Sequence, residues 1–83
     1  MHSPFDPLEE LLEAIARTLV DHPEEVQVRA VQGQAVSILE LRVHPEDVGR
    51  VIGHNRRIAA ALRAVFGAAG RKLQKRVTVV ILE

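Results

Sequence analysis

Arg50-Val51-Ile52-Gly53-His54-Asn55-Arg56-Arg57-Ile58-Ala59 is the stretch on which the fold turns: a glycine break with three arginines around it, set between two apolar helical patterns. A break of this kind stops one helix and starts another, and the new N-terminus offers free backbone N–H groups of the sort that bind phosphate. The charge distribution adds to its weight. Residues 1–49 carry 3 basic and 10 acidic side chains, whereas residues 50–83 carry 8 and 1. A formal net charge of zero therefore hides a dipolar chain whose positive half begins at the break, and a basic half of this kind suits a polyanionic partner.

Upstream of the break, His44-Pro45-Glu46-Asp47 suits a helix start, with proline in the first turn and acids at the positive end of the dipole. Val48, Val51 and Ile52 give that helix a short apolar face, and Gly53 stops it. Downstream, a third helix is predicted from about Arg56 to about Leu73. Its apolar stripe reads Ile58, Ala61, Leu62, Val65, Phe66, Ala69 and Leu73, with Gly67 and Gly70 weakening its later turns. Arg71, Lys72, Lys75 and Arg76 then form a solvated cluster where cations suit a helix C-terminus. The β-branched run from Val77 to Leu82 predicts a well-buried strand.

The acidic half reads as a helix and a hairpin. Asp6 is a capping residue, Pro7 fits the first helical position, and Leu8, Leu11, Leu12, Ile15, Ala16, Leu19 and Val20 recur at steps of three and four. Asp21-His22-Pro23 ends the pattern. From Glu25 to Val31, apolar Val26, Val28 and Ala30 alternate with polar neighbours, which is the period of a half-buried strand, and Gln32-Gly33-Gln34 supplies a turn. A second strand over residues 35–43 puts Leu39, Leu41 and Val43 on one face. Val36 and Ile38 fall on the other parity, which predicts a bulge or burial on both faces. The resulting order is α-β-β-α-α-β, an α+β chain.

Composition narrows the function. Eighty-three residues suit one domain, 1–83, with residues 1–5 as a flexible tail. No apolar run approaches the roughly 18 residues of a membrane span and no basic-then-apolar leader opens the chain, so a cytoplasmic protein without membrane contact is expected. Zero cysteines exclude disulfides, thiolate metal sites and a cysteine nucleophile. Phe5 and Phe66 are the only aromatics, so bases must be met by an aliphatic groove rather than by ring stacking. No nucleophile has an obvious base partner and no P-loop is present, so no enzyme is expected. His22 and His44 each precede a proline, and Glu46 and Asp47 beside His44 read as a helix start rather than as ligands. No metal or cofactor is expected.

Leu19-Val20-Asp21-His22-Pro23-Glu24-Glu25-Val26, then Pro45-Glu46-Asp47-Val48-Gly49-Arg50-Val51-Ile52-Gly53 and Arg57-Ile58-Ala59, carry a resemblance to a known family. With the α-β-β-α-α-β order and the glycine loop, nearly the whole chain resembles a type II KH domain, and more narrowly the small bacterial KH-domain RNA-binding proteins of the KhpA type. The resemblance implies a three-stranded sheet with helices packed on one face. It also implies a GxxG loop that clamps the backbone of about four single-stranded nucleotides. The RNA-binding residues would be Arg50, Ile52, Gly53, His54, Asn55, Arg56, Arg57 and Ile58. Implied roles are RNA chaperoning or post-transcriptional regulation in a bacterial cytoplasm. Implied partners are single-stranded RNA and a second KH chain, in a homodimer or a heterodimer with a larger Jag-type KH protein. Ala60, Ala64, Gly67 and Ala68 form a small-residue ridge suited to such an interface. The alternative is a KH-fold interaction module with weak or lost RNA binding.

One position departs from the family pattern. The loop reads Gly53-His54-Asn55-Arg56, so arginine stands where the second glycine belongs, and an arginine at positive φ is strained. A local solution is expected in which Gly53 is the left-handed terminator of the second helix and Asn55 caps the third. Arg56 and Arg57 then take ordinary helical geometry.

Overall fold

The computed structural model describes residues 6–83; the tail expected over residues 1–5 and the cap expected from the Asp6 side chain lie outside it. Helix α1 (Asp6–Leu19) leads through a 3₁₀ turn at Pro23–Glu25 into strands β1 (Gln27–Gln32) and β2 (Ser37–Arg42). A second 3₁₀ turn at Pro45–Asp47 opens helix α2 (Val48–Ile52). The His54–Arg56 turn joins α2 to helix α3 (Arg57–Lys72), and strand β3 (Val77–Ile81) follows. This is the expected order.

β1 and β2 form the expected hairpin, antiparallel from Gln27 opposite Arg42 to Gln32 opposite Ser37. The Gly33 N–H closes its loop on the Val36 carbonyl at 3.0 Å. Strand β3 pairs parallel with β2, from Ser37 opposite Val77 to Leu41 opposite Ile81, giving the order β1-β2-β3. Parallel pairing needs a crossover that returns the chain to the same end of the sheet. Helices α2 and α3 are that crossover, and the glycine break lies in the middle of it.

Inward-facing Leu39, Leu41, Val77, Val79 and Ile81 of the sheet meet Leu8, Leu12 and Ala16 of α1, Val51 of α2, and Ala59, Leu62 and Phe66 of α3 in one core. Three sequence expectations are narrowed or corrected here. The β1–β2 register is unbroken, which removes the bulge and leaves the other reading, burial on both faces, with Ile38 half-buried on the sheet face opposite Leu39. Strand β3 is an edge strand and its Val80 is exposed, so it is buried on one face rather than throughout.

The third correction concerns which residues the helices bury. On α1, Leu11 is 46% exposed while Leu8, Leu12 and Ala16 face inward. On α3 the buried line is Ala59, Leu62, Phe66 and Gly70, and Ala61, Val65 and Leu73 face out, with Val65 54% exposed. An alanine-rich helix carries several overlapping stripes at steps of three and four, and the neighbouring strand selects among them. At Gly70 that selection is steric, since a Cβ there would lie 2.6 Å from Cγ2 of Val77.

Candidate nucleic-acid interface

Helix α2 has only five residues, and its end is set by the chain it must pass over. Gly53 adopts φ +81°, its N–H donates to the Gly49 carbonyl at 2.9 Å, and a Cβ on it would fall 2.6 Å from Cγ1 of Ile58. Glycine is thus required here twice over, by backbone conformation and by close approach. The Gly53 carbonyl then accepts the Arg56 N–H at 3.1 Å, closing a one-turn loop.

Within that turn the expected geometry is overturned. Asn55 (φ 54°, ψ 31°) and Arg56 (φ 59°, ψ 24°) are both left-handed, and Gly53, at ψ 170°, is extended rather than an αL terminator. Asn55 does not cap α3. Arg56 occupies the capping position itself, with no side-chain hydrogen bond to the helix, and only Arg57 is helical. The reason lies outside the loop: Leu62 and Phe66 fix the direction of α3 in the core, and Gly53 packs over Ile58. Three residues must reverse the chain between these constraints. Asparagine tolerates αL, whereas arginine there costs about 1–2 kcal/mol. The loop therefore keeps a glycine-type path with an arginine at its second glycine position.

The expected site residues divide into three groups. His54, Asn55, Arg56 and Arg57 are exposed together around the uncapped N-terminus of α3. Among the described residues no acidic group pairs with Arg56 or Arg57. Ile52 and Ile58 flank the loop, half-buried and packed against the core, so their outer surfaces supply the apolar element. Arg50 is not gathered into this set. Its Nη2 lies 2.8 Å from Asp21 Oδ2 and its Nε 3.7 Å from Asp47 Oδ1.

Asp47, expected as a complement to the helix dipole, is instead a buried structural clamp. It is 1% exposed, and it accepts the Asp21 N–H on Oδ1 at 3.2 Å and the His22 N–H on Oδ2 at 3.0 Å. Burial pushes its carboxyl upward, but these two bonds and the charges of His22 and Arg50 outweigh it and hold the pKa below the ordinary value. The clamp joins the exit of α1 to the start of α2 and so orients the loop. The signal available in sequence was Arg50 three residues on, the spacing of a helical ion pair.

Arg63, whose place two turns after Arg56 suggests in sequence that it shares a face with the loop, is tied to the sheet by a bond that spacing does not show. Its Nε donates to the Val79 carbonyl at 3.1 Å, bridging α3 to the outer edge of β3. It follows Arg56 by about two helical turns, roughly 10 Å along the axis. Arg71 and Arg76 continue the exposed basic series toward the far end of β3. A concavity of about 700 Å³ lies elsewhere: Glu24, Glu25, Val43, Val48 and Leu82 are among its lining residues, and its carboxylates repel a polyanion. The exposed residues around the N-terminus of α3 are on an open loop rather than in a pocket. On the outer side of α3, Ala60, Ala64 and Ala68 are exposed and Gly67 is half-buried.

The profile of the family described as KhpA/KhpB, KH domain, matches residues 9–81. The chain belongs to this family. Its α-β-β-α-α-β order and mixed three-stranded sheet are those of a type II KH domain, and the family is non-enzymatic. The chain is 55% identical over 75 residues to the RNA-binding protein KhpA of Clostridium acetobutylicum, covering 90% of this chain and 100% of the relative. With the RNA-binding protein KhpA of Aquifex aeolicus it shares 45% identity over 76 residues, 92% of this chain and 96% of the relative. With that of Treponema pallidum it shares 48% over 75 residues, 90% and 94% of the two chains. No described helix is long and apolar enough to cross a membrane.

Proposed function

We propose that this chain binds single-stranded RNA through the backbone, at Gly53 to Arg57. The observation that carries the reading is the uncapped N-terminus of α3 with Arg56 and Arg57 exposed beside it and, among the described residues, without an acidic partner. An arginine at the capping position and another at the first helical position both oppose the helix dipole, and a bound phosphate removes that conflict by accepting from the free N–H groups and both guanidinium groups. Ile52 and Ile58 offer bases an aliphatic surface, and Asn55 and His54 add polar contacts at the loop tip. RNA binding by relatives at 45–55% identity supports the same reading. Backbone contacts carry little sequence information, so the role proposed is an RNA chaperone or post-transcriptional regulator in the cytoplasm, with low base selectivity.

Substituting Arg56→Glu and Arg57→Glu together should sharply weaken binding of short single-stranded RNA at moderate salt. In the unsubstituted protein, three or four phosphate contacts would give a slope of about −2 to −3 in log K against log salt. Affinity unchanged by the double substitution would overturn the proposal.

A second chain is proposed to dock on the outer face of α3. Exposed Ala60, Ala64 and Ala68 beside Val65 permit close backbone approach, and the occupant is a second copy or a larger KH protein. Sedimentation should show self-association that Ala64→Glu abolishes; a monomer at all concentrations, with Ala64→Glu still binding a larger KH partner, removes this part. Self-association that survives alongside absent RNA binding would favour an interaction module instead.

A further inference from the structure

Two segments far apart in sequence repeat one another: His22-Pro23-Glu24-Glu25-Val26 and His44-Pro45-Glu46-Asp47-Val48. Each folds as a 3₁₀ turn with its histidine at the N-terminal cap. The bonds from the Asp21 and His22 N–H groups to Asp47 hold the two turns against each other. As a result the imidazoles of His22 and His44 stack, with centroids 4.0 Å apart and planes at 23°. Glu46 reaches both rings: its Oε1 is 3.6 Å from His22 Nε2 and 3.7 Å from His44 Nδ1. On the other side of the His22 ring, Nδ1 lies 3.7 Å from Oε1 of Glu24. One ligand atom from each of His22, His44 and Glu46 lies within 4.8 Å of the others.

We propose that His22 Nε2, His44 Nδ1 and Glu46 Oε1 bind a first-row transition-metal dication of the zinc type. Metal–ligand bonds of about 2.0–2.2 Å place the donors of a tetrahedral site about 3.3 Å apart, so two of the three edges are already within a few tenths of an ångström. The lone pairs of stacked rings run side by side, so binding requires one imidazole to turn out of the stack; both rings are half-buried and Glu46 is exposed, which gives room for that turn and leaves a fourth position for water. Two imidazoles and one carboxylate select zinc, nickel or copper over magnesium or calcium.

Glu24 has the place of an outer-shell partner: its Oε1 is 3.7 Å from His22 Nδ1, and a shift of under about 1 Å would let it accept that N–H and fix the tautomer that presents Nε2 to the metal. At His44 the lone pair of Nδ1 now accepts the Glu46 N–H at 3.0 Å, and the metal takes over that lone pair while the exposed N–H turns to water. Buried Asp47 behind the cluster adds negative charge that favours a cation. Binding would staple the exit of α1 to the start of α2, the same junction that orients the loop. This site uses none of the RNA-binding residues and stands or falls apart from them.

The test is calorimetric titration of the untagged, chelator-treated chain with Zn²⁺, with Co²⁺ as a spectroscopic reporter of coordination. The expected result is saturable uptake of one equivalent, a metal-dependent rise in Tm, and cobalt d–d bands of a four-coordinate ion. His22→Ala and His44→Ala should each abolish uptake, and Glu24→Gln should weaken it roughly 10- to 100-fold. Glu46→Gln keeps both rings and the backbone bonds, so its expected loss of affinity is readable even if a histidine variant is less stable. Absence of saturable uptake overturns the proposal. So does uptake that survives His22→Ala with His44→Ala, or that is indifferent to Glu46→Gln, since the metal would then sit elsewhere.

Discussion

The backbone N–H of His22 donates to Oδ2 of Asp47 at 3.0 Å, across 25 positions of sequence. Asp47 is the most buried charged side chain among the described residues, and it receives a second N–H, from Asp21, on its other oxygen. Two backbone donors that would otherwise be unsatisfied at a chain reversal thus meet a single carboxylate. The loop at Gly53 is reached six residues later through a helix too short to be rigid alone. Its position therefore depends on this clamp.

Acid should weaken the fold through Asp47. Its folded pKa is depressed, so the stability it contributes is present above the unfolded value of about 3.9 and is lost as pH falls through the folded value. Asp47→Asn replaces one acceptor by an amide N–H that faces a donor. Thermal melts between pH 7 and pH 2 should show a lower Tm for Asp47→Asn at neutral pH and a smaller further loss below about pH 4.

Arg56→Gly should raise stability and weaken RNA binding together. The left-handed backbone at position 56 is strained for arginine and free for glycine, a gain of about 1 kcal/mol by denaturant unfolding. Loss of one phosphate contact should flatten the log K against log salt slope by about 1. Equal destabilisation instead of a gain would mean that the Arg56 side chain makes a stabilising contact.

Gly53→Ala tests whether the glycine is only a helix stop. A stop alone would lose a few tenths of a kcal/mol. The conformation at φ +81° and the 2.6 Å approach to Ile58 predict a loss of at least about 1 kcal/mol, with RNA affinity falling as the loop shifts. Equilibrium unfolding distinguishes the two.

The orientation of α3 predicts a sharp contrast between Phe66 and Leu73. Phe66→Ala should cost about 3–5 kcal/mol, because the ring is wholly buried, while Leu73→Ala should change stability by less than about 0.5 kcal/mol. Comparable losses at both positions would place Leu73 in the core and overturn the observed rotation of the helix.

The order of the six main elements, the hairpin turn at Gly33 and the glycine break were legible in sequence because each is written in residues a few positions apart. Periodicity marked the helices and strands, and proline, glycine and clustered charge marked their ends. The exposure of His54, Asn55, Arg56 and Arg57 follows from the same local signals. The rotation of α3 was not legible, because Ala59 and Ala61 fit helical stripes equally well until Val77 stands against Gly70. The engagement of Arg50, the burial of Asp47 and the stacking of His22 on His44 were hidden for the same reason.

By itself the sequence determined a dipolar α+β chain with a glycine loop at the head of its basic half. Only the tertiary structure decided that Arg56 adopts a left-handed backbone and that Asp47 fastens the loop's support. Both depend on where α3 and the exit of α1 are held by the core, and contacts between distant residues leave no trace in local spacing.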